Sequence, residues 1–158
     1  MEEQDMTEYV AALALCDQAE PDLVQAHLLL KRAAEHGDDR AKYALATWYL
    51  HGNDAVEKNE RLGVSMLKKL ANSNVAEAVF DLAIAYDYGR QVRRNEKKAF
   101  SFYMRAALLG DRESCSQLAQ FFKEGKIVDA NPVVASAWER RAQEEERDIS
   151  PPYRQWLQ

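Results

Sequence analysis

The side chains in this chain that could do chemistry are three histidines, two cysteines, a block of acids near the C-terminus and one basic run. A metal site on a helix would need His or Cys ligands at i, i+4. His27, His36 and His51 are scattered along the chain, and none has a second His or Cys at that spacing. Nucleophilic catalysis would need a Ser or Cys with a companion His in a recognisable motif, and no such motif occurs. The glycines are isolated, one to a turn, so no loop is built to cradle a phosphate. Glu144, Glu145 and Glu146 read as the solvated face of a terminal helix. Arg90, Arg93, Arg94, Lys97 and Lys98 form the one local positive cluster. It could meet an acidic partner, although ordinary solvated loop charge is the favoured reading. No catalytic residue, metal or cofactor is therefore expected. What remains is binding, which depends on the elements that present the side chains.

Those elements repeat. Asn59, Asn95 and Asn131 stand 36 residues apart. A Gly precedes each (Gly52, Gly89, Gly125), a Val lies three residues before it (Val56, Val92, Val128), and a small residue follows four later (Gly63, Ala99, Ala135). A period of this size means a stacked array of similar units. In one half of each unit, small and apolar residues fall at helical spacing: Ala41, Leu45, Ala46, Tyr49; Ala78, Leu82, Ala83, Tyr86; Ser114, Leu118, Ala119, Phe122. We name this helix A. Gly52, Gly89 and Gly125 then stop it in a positive-φ conformation. Each Asn is expected to cap the following helix B through its side-chain oxygen, with Pro132 at the favoured first position of the last one.

Helix B reads Gly63-x-x-Met66-Leu67, Ala99-x-x-Phe102-Tyr103 and Ala135-x-x-Trp138, with an earlier copy at Ala26-x-x-Leu29-Leu30 that Asp22 should cap. Its partner helix is expected at roughly Thr7 to Ala19. Alanines let neighbouring helices approach closely, while Leu45, Tyr49, Leu82, Tyr86, Phe102 and Trp138 fill the space between. A Leu at Ala83 or Ala106 should overpack, at about 1–3 kcal/mol.

Composition agrees with a foldable helical chain of 158 residues, with 47% hydrophobic and 30% charged residues. The net charge of -5 disfavours a nucleic-acid reader. The start, MEEQDMTEY, lacks the basic and apolar regions of a secretory signal, and no stretch approaches the roughly 20 apolar residues of a membrane span. A cytoplasmic location follows as the expectation, with Cys16 and Cys115 as buried free thiols.

Taken together, Ala-x-x-x-Leu-Ala-x-x-Tyr-x-x-Gly, then Val-x-x-Asn-x-x-x-Ala, then an aromatic and Lys/Arg-Ala-Ala-x-x-Gly, resembles the Sel-one-like repeat (SLR), a relative of the tetratricopeptide repeat with a longer turn between its helices. The resemblance covers about residues 22–146, and residues 78–110 match it best. There are departures. Asn stands where the family usually has an acid before helix B, Gly63 stands for Ala, and Asn74 for the closing Gly. In the last unit Gln143 breaks the Ala pair, and Glu144 to Arg147 turn the helix outward-polar, like a C-terminal cap.

The resemblance implies an all-α, right-handed α-solenoid of about four antiparallel helix pairs over residues 1–149. A C-terminal extension of 150–158 lies outside the repeat, and its Tyr153, Trp156 and Leu157 either fold back on the last unit, the favoured reading, or dock elsewhere. It further implies a non-catalytic protein-binding module whose A helices line a concave face. The residues left for a partner are then Tyr43, Thr47 and His51, next Phe80, Ile84 and Tyr88, and last Ser116, Gln120 and Glu124. Phe80, Ile84 and Tyr88 form an i, i+4, i+8 stripe that either faces a partner or is buried between A helices. Some bacterial relatives are immunity proteins. The small size and apparent lack of a second domain favour such an inhibitor of a cognate toxin over a cytoplasmic adaptor or regulatory scaffold. The partner is a protein in either reading, with no nucleic acid and no membrane.

Overall fold

The computed structural model describes residues 2–144, with side chains described from residue 8 onward. Within that range the chain is helical throughout, with no strand. The elements are α1 (Glu2–Cys16), α2 (Leu23–Glu35), α3 (Asp39–His51), α4 (Glu60–Lys69), α5 (Ala76–Tyr88), α6 (Glu96–Leu108), α7 (Arg112–Glu124) and α8 (Pro132–Gln143). The first helix, α1, begins earlier and stops sooner than the expected Thr7–Ala19. The expected extension from 150, with Tyr153, Trp156 and Leu157, and the residues Glu145 to Arg147 lie outside the described residues.

The connectors fold as their residues dictate. Gly52, Gly89 and Gly125 end α3, α5 and α7 with φ of 74°, 70° and 65°. The Asn59 side chain accepts from Leu62 N, Asn95 from Lys98 N, and Asn131 from Val133 and Val134 N. Their own amides do a second job. Asn59 N donates to Tyr49 O, Asn95 N to Tyr86 O and Asn131 N to Phe122 O. Each Asn thus ties the start of helix B to the last turn of helix A, which reverses the chain. Asp22 caps α2 as expected, and Asp38 and Asp111 cap α3 and α7 in the same way.

The chain forms two compact units, one holding α1–α4 and one holding α5–α8. In the first, α1 packs on α2, α2 on α3 and α3 on α4. In the second, α5 packs on α6, α6 on α7 and α7 on α8. The first core is built on Ala12, Ala26, Leu30, Ala33, Ala41 and Leu45. The second is built on Ala83, Ala99, Tyr103, Ala107, Cys115, Leu118 and Phe121. Full burial of Leu30, Leu67, Leu82 and Leu118 contributes about 2 kcal/mol for each. Both cysteines are free thiols, Cys115 buried as expected and Cys16 only half-buried. Burial pushes the Cys115 thiol up to about 11.

Of the expected fillers Leu45 and Leu82 are buried, whereas Tyr49, Tyr86, Phe102 and Trp138 are only half-buried. Phe102 is half-buried, stacked on Tyr86 with ring centroids 5.7 Å apart, while its neighbour Tyr103 is fully buried between Phe80 and Phe121. Tyr103 holds the helix B position of the buried Leu30 and Leu67, and its hydroxyl is satisfied there by donating to the Asp87 carboxylate at 3.0 Å.

Candidate functional site

The predicted partner residues fall into distinct settings. In the first unit Tyr43 and Thr47 are half-buried on α3 and His51 is exposed at its end. The Thr47 hydroxyl donates to Ala44 O of its own helix at 2.7 Å. In the second unit the stripe divides. Phe80 and Ile84 are half-buried against the core, with Phe80 6.0 Å from the Tyr103 ring. Tyr88, at the end of α5, is 65% exposed. On α7, Ser116, Gln120 and Glu124 are exposed.

The structure brings Tyr88, Gln120 and Glu124 to one groove of about 480 Å³ within the second unit. The same groove is lined by residues that sequence reasoning did not assign to a site: Asp87, Glu96, Gln117, Phe121 and Lys126, together with Arg94 of the basic run. Most of its polar side chains are paired. Arg94 Nη2 meets Glu96 at 2.5 Å, and Arg94 Nε donates to the Asp87 main-chain oxygen at 2.8 Å. Lys126 Nζ lies 2.9 Å from Glu124, which also accepts from Gln120. Hydrogen bonds from Gln120 and Lys126 hold the Glu124 carboxyl below its usual range. Burial, then the Asp87 charge and hydrogen bond, push the Tyr103 phenol far above its usual range, so it remains a donor.

The remaining members of the basic run disperse. Arg90 lies over the Tyr88 ring at 5.5 Å and Lys98 over Tyr86 at 5.0 Å, while Arg93 and Lys97 are exposed. His27 is packed in the first unit against Trp48, ring centroids 6.1 Å apart. Among the described residues no group of three His, Cys, Asp or Glu is placed to hold a metal ion. No helix among them is long and apolar enough to cross a membrane.

Aligning the repeats shows a signal that could have marked the groove. Asp87 occupies the helix A position held by Leu50 in the preceding repeat and Lys123 in the following one. The matching helix B position is Leu67, Tyr103 and Glu139. Asp87 bonds Tyr103, and Lys123 pairs with Glu139. A single pair of positions therefore reads apolar, then neutral donor with carboxylate, then ion pair.

Comparison with known proteins agrees with this architecture. The sequence model of the Sel1 repeat matches residues 11–38, 39–75 and 76–111. Beyond 111, α7 and α8 keep the same Gly stop and Asn cap. The chain is 33% identical over 88 residues to chitin synthase regulator SKT5 of Saccharomyces cerevisiae, covering 55% of this chain and 13% of that protein. It is 30% identical over 100 residues to chitin synthase regulatory factor 4 of Schizosaccharomyces pombe, covering 63% and 15%. It thus spans only a small part of these curated relatives. A Sel1 repeat protein from Oxalobacter formigenes superposes with a TM-score of 0.79 at 20% identity, covering 97% of this chain and 62% of that one. A protective antigen of uropathogenic Escherichia coli strains, displaying an SLR fold, does so with a TM-score of 0.79 at 23% identity, covering 97% and 32%. The fold is the all-α helix-pair repeat of these proteins.

Proposed function

This chain belongs to the Sel1 repeat family, and from that premise we propose that it is a non-catalytic module that holds a partner protein on the exposed side of its A helices. The groove at Tyr88, Gln120 and Glu124 is the principal contact. One observation carries this assignment: a tyrosine that is 65% exposed stands at the rim of a groove built from the next A helix. Exposed aromatic side chains at such rims are the usual anchors of protein interfaces. Tyr43, Thr47 and His51 form a lesser contact on the first unit.

In its narrower form the module is an inhibitor, an immunity protein that neutralises a cognate toxin. In the second form it is a cytoplasmic adaptor or regulator, a reading that draws support from relatives named as regulators of chitin synthase. The test is affinity capture from the native host with the wild-type chain and with Tyr88→Glu/Gln120→Arg. Phe80 is left intact because it packs on Tyr103. A stoichiometric protein lost by the folded double variant is the expected result. No such protein, or one held equally by the variant, overturns the assignment to this face. Adding the module to the captured protein then separates the two forms: an inhibitor abolishes the partner's activity, and an adaptor leaves it in place.

A further inference from the structure

The groove of the second unit is unevenly charged. It holds two cations, and each is matched by its own carboxylate: Arg94 by Glu96 and Lys126 by Glu124. Asp87 is the third carboxylate on the wall. Its Oδ2 accepts from the neutral Tyr103 hydroxyl, while Arg94 binds its main-chain oxygen and not its carboxylate. Among the described lining residues both cations are thus engaged by other carboxylates, and the Asp87 carboxylate is held at one fixed point by a neutral donor. The repeat does not require it there, because Leu50 and Lys123 fill the same position in the neighbouring copies.

Two further features stand beside that charge. The Tyr88 ring is largely exposed and already accepts one guanidinium, that of Arg90, at 5.5 Å. Gln117 and Gln120 lie one turn apart on α7 and also line the groove. Their amides can both donate to and accept from a passing main chain. A volume of about 480 Å³ suits one long side chain with its backbone better than a folded surface.

We propose that this groove takes a single arginine of an extended segment of the partner protein. The guanidinium sits against the Asp87 carboxylate and the Tyr88 ring, and the segment's main chain lies against Gln117 and Gln120. Arginine is the fitting cation because its planar fork pairs with a carboxylate and stacks on an aromatic face at once, which an ammonium does less well. This rests on the reading of the chain as a protein-binding module and adds the chemistry of what it binds.

The probe is the peptide acetyl-Gly-Ser-Arg-Ser-Gly-amide, titrated into the ¹⁵N-labelled full chain and followed by amide shifts. The control peptide carries Glu in place of Arg. Saturable shifts around Asp87, Tyr88, Gln117 and Gln120 are expected with the Arg peptide alone. Asp87→Asn keeps an acceptor for the Tyr103 hydroxyl and should weaken binding about tenfold with the rest of the spectrum unchanged. Equal shifts from the Glu peptide, no saturable shift, or an Asp87→Asn chain that binds as tightly as wild type would each overturn the proposal. Partner capture separates the two claims. A partner kept by Asp87→Asn but lost by Tyr88→Glu sinks the arginine pocket and leaves the binding role standing. Peptide binding at Asp87 with no captured partner does the reverse.

Discussion

Single residues in this repeat do jobs that their neighbours in other copies do not. Ser114 stands where Ala41 and Ala78 stand, is fully buried, and its hydroxyl has no hydrogen-bond partner among the described residues. Removing an unsatisfied buried hydroxyl recovers its desolvation cost, so Ser114→Ala should stabilise the chain by about 1 kcal/mol in urea denaturation. A loss of stability would show that the hydroxyl is hydrogen-bonded after all. His27 offers a pH-dependent counterpart. Burial, followed by the charge of Lys31, lowers its pKa below 6.5. The folded state therefore prefers the neutral ring. Its contribution is complete above pH 6.5 and is lost as pH falls through the lowered value. His27→Gln should flatten the decline of thermal stability on mild acidification, and an unchanged slope would place the sensitivity elsewhere. The asparagine caps were legible in the sequence, because capping needs only the right side chain at the right step. The groove was not. Asp87 gains its role from Tyr103, sixteen residues away, and no local spacing announces that bond.

At the level of the helix, close approach decides what is tolerated. The departure at Gly63 has a physical reason: a Cβ there would lie 2.7 Å from Leu50 Cγ and 3.0 Å from the Ala46 carbonyl oxygen. In the next copy Ala99 faces a helix that carries Asp87 at the Leu50 position. Gly63→Ala should cost about 1–3 kcal/mol by overpacking. Adding Leu50→Ala should return part of that loss, so a double-mutant cycle measures the coupling. Strict additivity of the two changes would refute the contact. The Gly stops and the small-residue faces follow from periodicity and were readable in advance, whereas both ends of α1 were not. Which of two adjacent aromatics goes inside follows from the repeat register, since Tyr103 matches the buried Leu30 and Leu67, but that its hydroxyl finds an acceptor in Asp87 was not readable.

For the whole chain, the relevant fact is that each unit has a core of its own. Repeat stability is largely local, set by a unit and its nearest packing partners. Leu118→Ala opens a cavity in the second core and should cost about 2–5 kcal/mol. In hydrogen exchange the amides of α5–α8 should lose more protection than those of α2–α4, and an equal loss throughout would mean one cooperative block. Near-copies in one chain also carry a hazard, since a helix can dock in the wrong copy's place while the protein folds. Here the varying pair works against that error. Were α8 to settle on α5, Glu139 would meet Asp87, acid against acid. Were α4 to do so, Leu67 would leave Asp87 without its donor. The position that repetition leaves free to vary thus tells each refolding helix which copy it belongs to.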